Sequence, residues 1–309
     1  MDNVCHALVG ATIGYSFKPK KIAYAPLIGM VAANIPDVDV LAVAFGDAAM
    51  FTFRRGWTHG VPALLVWPWI LAGLAWWWTG RRGPQRDRQE WWSLLFFVSV
   101  AVVSHPLLDF MNVYGMRWLM PFSGEWFYGD VLFIVDPWIW AVLAGGVFVA
   151  RRHGSDIARQ AQAGRRALLG AAAYLAVMVS LMFGGRAVVR GTLHEIGASA
   201  DARMMVGPVP LNPFRQSVVV ETSGGYRIGE VRWTPIPKVS FSDSLFERDE
   251  RHPSVRRALA TPEGRAFMDW ARFPFFIVNP MDSTVVHIVD ARYALDTDAR
   301  FGTMSIQLE

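Results

Sequence analysis

Residues 91–115 read WWSLLFFVSVAVVSHPLLDFMNVYG, an apolar run that ends in a short polar motif. The run approaches the length of about 20 residues that a helix needs to cross a bilayer. His105 and Asp109 lie near its end and share one helix face, because they are four positions apart. An imidazole and a carboxylate are costly to desolvate at the edge of a membrane, so they mark an ion, a proton path or a substrate site. We predict that both are metal ligands.

The composition also indicates a membrane protein. Of the 309 residues, 53% are hydrophobic, and the apolar runs are concentrated before about residue 185. The net charge of +4 is no evidence for a nucleic-acid partner, because the arginines lie in short loops between apolar runs, where membrane orientation accounts for them. Cys5 is the single cysteine, so an intrachain disulfide is excluded.

The apolar runs predict a mainly α fold, a polytopic membrane helix bundle followed by a small α+β extramembrane domain. We expect membrane crossings at residues 61–79, 91–110, 133–150 and 167–185. Residues 3–35 read as a pair of short helices that enter the membrane and return, with a helix end near Pro36, because proline disfavours a helical residue before it. The predicted domains are residues 1–186, which carry the metal site, and residues 187–309.

The second domain shows strand and turn signals. Residues 216–233 predict two strands around a Ser-Gly-Gly turn, and residues 253–272 read as helical. A second hairpin is expected around the turn at residues 280–283, and the chain ends in a segment that predicts an edge strand, TMSIQLE.

The loop charges predict an orientation. Arginines are concentrated at residues 81–88 and 151–166, and lysines at residues 18–21, so the positive-inside rule places these loops in the cytoplasm. The polar motif residues then fall together at the opposite, non-cytoplasmic face, and the C-terminal domain is expected there too, in the periplasm. These motif residues are Asp37, Asp39, His59, His105, Asp109, Asn112, Asp130 and Asp136, joined by His6 if the first helix starts from the outer side.

Such convergence favours a metal site, because ligands must come together from several segments. His6, His59, His105 and Asp109, with Asp37 or Asp39, provide enough nitrogen and oxygen donors for one zinc ion or two. If residues 37–39 are extended, only one of the two aspartates binds directly, and the other orients a histidine. The alternatives are a helix-end hydrogen bond for His105 and Asp109, a capping role for Asp37, and Thr58 as the N-cap of the next helix.

Five blocks in the first half of the chain carry a family resemblance. They are MDNVCHALVGATIG, NIPDVDVL, RRGWTHG, SHPLLDFMNVYG and PFSGEWFYGDVLFIVDPW. The set resembles the membrane-bound metal-dependent hydrolases, also described as LexA-binding, inner-membrane-associated hydrolases. The resemblance implies an inner-membrane protein with a divalent metal held by His6, Asp37, Asp39, His59, His105 and Asp109. Family members often have His at the position of Arg54 and Ser at that of Gly60. If position 54 supplies a metal ligand in those proteins, this chain lacks it, which leaves open whether it holds a second metal ion.

The first functional hypothesis is a hydrolase in which metal-activated water attacks an ester, such as a lipid or phosphate ester, at the non-cytoplasmic face. Arg55 would hold an anionic group, or anchor to lipid headgroups, and Asp39 or Asp130 would shuttle a proton. The expected partners are membrane lipid and a small or lipid-like ester. The alternatives are a non-catalytic membrane protein with a structural or sensory metal site and a partner-binding C-terminal domain, and, with less support, a transporter.

Overall fold

The computed structural model describes residues 1–17, 22, 24–80, 87–299 and 301–308. The contacts divide the chain into two compact units, one of Met1–Asp39 with Arg55–Val179 and one of Val40–Arg54 with Ser180–Glu309. The predicted domain boundary at residue 186 stays a prediction. The lysines of residues 18–21 and the arginines of residues 81–86 lie outside the described residues.

The first unit is helical. Its α-helices are α1 (Asn3–Ser16), α2 (Ala25–Asn34), α4 (Val61–Gly80), α5 (Arg88–Phe110), α6 (Pro137–Arg152) and the first part of α7 (Ile157–Arg190). A 3₁₀ helix, Ile35–Phe45, follows α2 directly and begins in this unit. The central helix is α5, because α1, α2 and α4 all pack against it.

Within the described residues, four helical segments are long and apolar enough to cross a membrane, namely Ala25–Phe45, Val61–Gly80, Arg88–Phe110 and Ile157–Arg190. Three of them coincide with the crossings predicted at 61–79, 91–110 and 167–185 and have the length and apolar composition that a crossing needs. The crossing predicted at 133–150 is wrong in its bounds, because the helix there, α6, starts only at Pro137 and has 16 residues, short of the about 20 that a crossing needs. Asp136 caps that start by accepting hydrogen bonds from the amides of Trp138 and Ile139.

Helices α1 and α2 match the two short helices predicted in residues 3–35, but the predicted return near residue 35 is wrong, because α2 continues into the 3₁₀ helix and Ala25–Phe45 is long enough to cross a membrane. Glycine sets how closely α1 and α2 approach. A Cβ atom on Gly10 would lie 2.1 Å from the Gly29 carbonyl oxygen, and one on Gly14 would lie 2.5 Å from the Cα atom of Pro26. These distances are far below van der Waals contact, so the two backbones meet where side chains are missing. Helix α2 ends at Asn34, as the following proline predicts.

The second unit contains two antiparallel sheets and short helices. The first sheet has the order β1 (Met204–Pro208), β2 (Arg215–Thr222), β3 (Gly225–Arg232) and β4 (Lys238–Phe246), and the second has the order β5 (Pro274–Val278), β6 (Val285–Asp290) and β7 (Thr303–Gln307). Three helices, α3 (Asp47–Phe53), α8 (Pro253–Leu259) and α9 (Pro262–Trp270), complete it together with a 3₁₀ turn, Leu193–Ile196. Both predicted hairpins and the predicted last strand are confirmed, with β2 and β3 meeting at Thr222 and Gly225.

We predict that Gly10→Ala weakens the first unit, because the added methyl group must push α1 and α2 apart at the Gly29 carbonyl. The expected loss is about 2 kcal/mol, typical of overpacking in a close-packed interior. Thermal unfolding in detergent would measure the loss. The matched control is Gly73→Ala in α4, where an added Cβ meets nothing within 4 Å. Equal melting temperatures for both variants would contradict the predicted close approach of the two helices.

Candidate metal centre

Four side chains of the first unit bring one ligand atom each to within 4.8 Å of one another. They come from separate segments: Asp37 from the 3₁₀ helix after α2, His59 from the turn before α4, and His105 and Asp109 from α5. The two α5 residues meet because they lie one helical turn apart. Ala33, in the last turn of α2, lies next to this group, so the cluster forms where the ends of several helices meet.

The distances between the four ligand atoms match one coordination shell. The two histidine Nε2 atoms are 3.0 Å apart, and Asp109 Oδ2 lies 3.5 Å from His105 Nε2 and 3.6 Å from His59 Nε2. Asp37 Oδ1 is 3.8 Å from each histidine nitrogen. A tetrahedral zinc ion with bonds of about 2.0–2.1 Å spaces its ligand atoms about 3.3 Å apart. The cluster therefore has the size of a single tetrahedral site.

The hydrogen bonds behind the histidines direct their lone pairs into the cluster. His105 Nδ1 lies 2.7 Å from the Ala33 carbonyl oxygen, which only accepts, so Nδ1 donates and Nε2 is free of its proton in the neutral ring. His59 Nδ1 lies 2.9 Å from Thr58 Oγ1, whose hydroxyl donates to Asp39 Oδ2 at 3.2 Å. In neutral rings the two Nε2 lone pairs therefore face each other, which is unfavourable unless a cation or a proton lies between them.

The surroundings of Asp109 Oδ2 support the same conclusion. This buried oxygen forms an ion pair with Arg55 Nε at 3.0 Å and also faces the Nε2 atoms of His105 and His59 at 3.5 and 3.6 Å. In neutral rings those nitrogens present lone pairs, which the carboxylate oxygen would repel. A divalent cation at the centre of the cluster would accept all of these lone pairs, so the residues present fit a metal ion.

Asp39 lies behind His59 and outside the four-residue group. Its Oδ2 atom is 3.3 Å from His59 Nδ1 and accepts a hydrogen bond from the main-chain nitrogen of Arg55 at 2.7 Å. It therefore orients the imidazole, as carboxylates commonly do behind metal-binding histidines. Residues 37–39 are helical and not extended, yet Asp37 and Asp39 are both buried while Val38 between them is 37% exposed.

Arg55 is buried beside Asp109. Its Nε atom lies 3.0 Å from Asp109 Oδ2, and its Nη1 atom donates to Asn112 Oδ1 and to the Gly115 carbonyl, each at 3.1 Å. The guanidinium carbon also lies 4.4 Å from the centre of the Tyr114 ring. These contacts make Arg55 a charge partner of Asp109. The predicted binding of an anionic group by Arg55 stays a prediction.

His6 adjoins the cluster without belonging to the four-residue group. Its ring stacks on that of His105 with 3.7 Å between centroids, and its Nε2 atom lies 3.2 Å from Asp109 Oδ1. The main-chain nitrogen of Met1 contacts the same oxygen. His6 thus lies on the far side of the Asp109 carboxylate, and its role as a direct ligand remains a prediction.

Asp130 is buried in the loop after α5, in a left-handed conformation with φ of 57°. The loop is held to the end of α5, since the amides of Gly129 and Val131 donate to the carbonyls of Phe110 and Met111. Asp130 is not one of the four clustered residues, and its proton-shuttle role stays a prediction.

Two supporting groups lack a clear sequence signal. The Ala33 carbonyl is main chain, although the predicted helix end at residues 34–37 does imply free carbonyls in that turn. Thr58 does not cap α4, which starts at Val61; its hydroxyl joins Asp39 to His59.

One family model and two curated proteins are similar to this chain. A family model described as YdjM inner membrane protein matches residues 1–187. The uncharacterized protein YfhP of Bacillus subtilis (strain 168) is 29% identical over 147 residues, which cover 45% of this chain and 43% of YfhP. The inner membrane protein YbcI of Escherichia coli (strain K12) is 28% identical over 155 residues, covering 49% of this chain and 78% of YbcI.

The matched region thus spans less than half of the length of YfhP. No solved structure matches the chain significantly. The family model covers more than half of the chain, including every residue of the cluster. The chain belongs to the YdjM inner membrane protein family.

Proposed function

We propose that this inner-membrane protein holds one zinc ion through Asp37, His59, His105 and Asp109. The observation that carries the proposal is the convergence of four buried ligand atoms with tetrahedral spacing. Two imidazole nitrogens and two carboxylate oxygens are a donor set that zinc accepts readily, whereas calcium and magnesium prefer six or more oxygen ligands.

We further propose that the centre hydrolyses an ester at the membrane. A bound zinc ion would supply a water molecule of lowered pKa, the source of hydroxide at neutral pH. Of the four ligands only Asp37 has measurable exposure, 5% against 0% for the others, so water and substrate approach along the Asp37 side. Asp39 keeps the His59 ring in its orientation through the hydroxyl group of Thr58. The guanidinium group of Arg55 offsets the negative charge of Asp109.

A non-catalytic metal centre is the second candidate, and one observation favours it. Structural zinc sites have four protein ligands and no open position, whereas catalytic ones keep a position for water. The present cluster has four protein ligands and is almost completely buried. In this alternative the metal fastens α5 to the ends of α2 and α4, and its removal would lower stability.

Metal analysis of the purified protein tests the ligands. We expect about one zinc ion per chain in the wild type and none in His105→Ala or Asp109→Ala, because three ligands of this buried set no longer complete the shell. Asp39→Asn should keep the ion with affinity reduced about 10–100-fold, because only the support of His59 changes. His153→Ala, outside the cluster, is the matched control. Equal metal in all five proteins, or none in any, would refute the site.

Hydrolysis requires its own assay with the intact protein in vesicles. We expect release of product from lipid and phosphate esters that stops on chelation, returns with zinc, and is absent in His105→Ala. Asp39→Asn should retain roughly 1–10% of the activity. A zinc-loaded protein that cleaves none of these esters but melts at a lower temperature after chelation would instead establish the structural alternative.

The proposed periplasmic position of the C-terminal domain can be tested on the full chain. In a Cys5→Ser background, Met281→Cys places a thiol at a side chain that is 92% exposed. A maleimide that cannot cross membranes should label it in intact spheroplasts. Arg88→Cys, at the predicted cytoplasmic loop, should react only after permeabilisation. The reverse pattern would overturn the orientation.

A further inference from the structure

An apolar groove of about 340 Å³ runs between α2 and α4. This α2–α4 groove lies on two of the four segments that are able to cross the membrane. Its volume falls in the range of about 300–1,000 Å³ that is typical of ligand sites. It is lined by apolar side chains, namely Leu27, Ile28, Val31, Ala32, Leu71, Leu74, Ala75, Trp77 and Trp78.

The shape of the groove follows from the sizes of its side chains. Ala32 and Ala75 form the floor and are 1% and 8% exposed, whereas Val31, Leu74 and Trp77 on the rim are 51–57% exposed. Because the rim faces outward from membrane-spanning segments, the groove opens sideways into the hydrocarbon of the bilayer. A molecule that enters the groove therefore comes from the lipid phase and not from water.

The groove and the candidate metal centre share α2 but no lining residue. The groove residue Ala32 directly precedes Ala33, whose carbonyl accepts a hydrogen bond from His105 Nδ1 at 2.7 Å. On α4 the groove begins at Leu71, ten residues or about 15 Å beyond the start of the helix at Val61. An ester at the metal would therefore reach the groove only through a long acyl chain.

We propose that the α2–α4 groove binds one acyl chain of a membrane lipid, and that the substrate of the centre is a lipid ester. This inference rests on the proposed hydrolysis. Among the residues that the structure describes, the lining has no charged or amide side chain that would recognise a headgroup, and the residues of the groove contribute chain binding.

The test uses the full-length protein in nanodiscs that contain a phospholipid with a diazirine in one acyl chain. After illumination, mass spectrometry maps the labelled peptides. We expect labelling to concentrate on residues 27–32 and 71–78. Val31→Trp and Leu74→Trp enlarge rim side chains and should reduce this labelling to the level found on other lipid-facing helices, because the indole rings occupy the groove and remove the van der Waals contacts that hold the chain. Leu65→Trp is the matched control, because Leu65 is 67% exposed on α4 but outside the groove.

The outcome separates the groove from the proposed hydrolysis. His105→Ala should lose hydrolysis and keep the labelling, because the groove does not depend on the metal. The rim variants should raise KM for long-chain esters and leave short, soluble esters unaffected. Labelling spread evenly over all lipid-facing helices, or cross-links between two copies of the protein at the groove, would overturn the inference even if hydrolysis is found. Groove labelling without any hydrolysis would overturn the substrate assignment while leaving chain binding established.

Discussion

The helices of the first unit can pack together only if partners within the protein offset the charge of a buried carboxylate, that of Asp109. Asp109 lies on α5, the helix around which α1, α2 and α4 pack, and it is fully buried. A lone charge there would cost several kcal/mol. His6 approaches its Oδ1 atom, and Arg55, His59 and His105 approach its Oδ2 atom. A cation between the ligands would lower the cost of burying Asp109 further. Coordination of that cation by Asp109 would then both complete the metal shell and allow the helices to pack around the carboxylate.

This constraint explains an inverted burial pattern. Asp37 and Asp39 are inside while Val38 is exposed, the opposite of what a soluble helix would show. In a bilayer the apolar side chain faces a favourable solvent, and the carboxylates have to find partners within the protein. The 3₁₀ helix makes this possible, because its tighter winding turns two carboxylates that are two positions apart toward different sides of His59.

Loop charges and span ends predict a wider set of residues at one face than the four that meet. Asp37, His59, His105 and Asp109 converge, whereas Asp130 and Asp136, predicted at the same face, lie outside this group. The sequence could not distinguish the direct ligand among Asp37 and Asp39, since that choice depends on whether residues 37–39 are extended or helical. The start of α6 was predicted too early, at residue 133, because a hydropathy pattern does not show that Asp136 caps a helix that begins at Pro137. The grouping of residues 40–54 with the C-terminal part depends on contacts such as Phe51 with Phe267, 5.2 Å between ring centroids, which are too distant in sequence to leave a local pattern.

The end of α2 links the two features proposed for this protein. Ala32 forms the floor of the groove, the carbonyl of Ala33 holds the tautomer of His105, and Asp37, four residues after Ala33, is a proposed ligand. A shift of α2 by less than the width of a side chain would change two distances together. One is the length of the Ala33–His105 hydrogen bond, and the other is the distance from Asp37 Oδ1 to the Nε2 atoms of His59 and His105. Close contact of α1 and α2 at Gly10 and Gly29 opposes such displacement. An acyl chain seated between α2 and α4 would add packing on the opposite face of the same helix, so that a bound lipid would itself help to hold the geometry of the proposed metal centre.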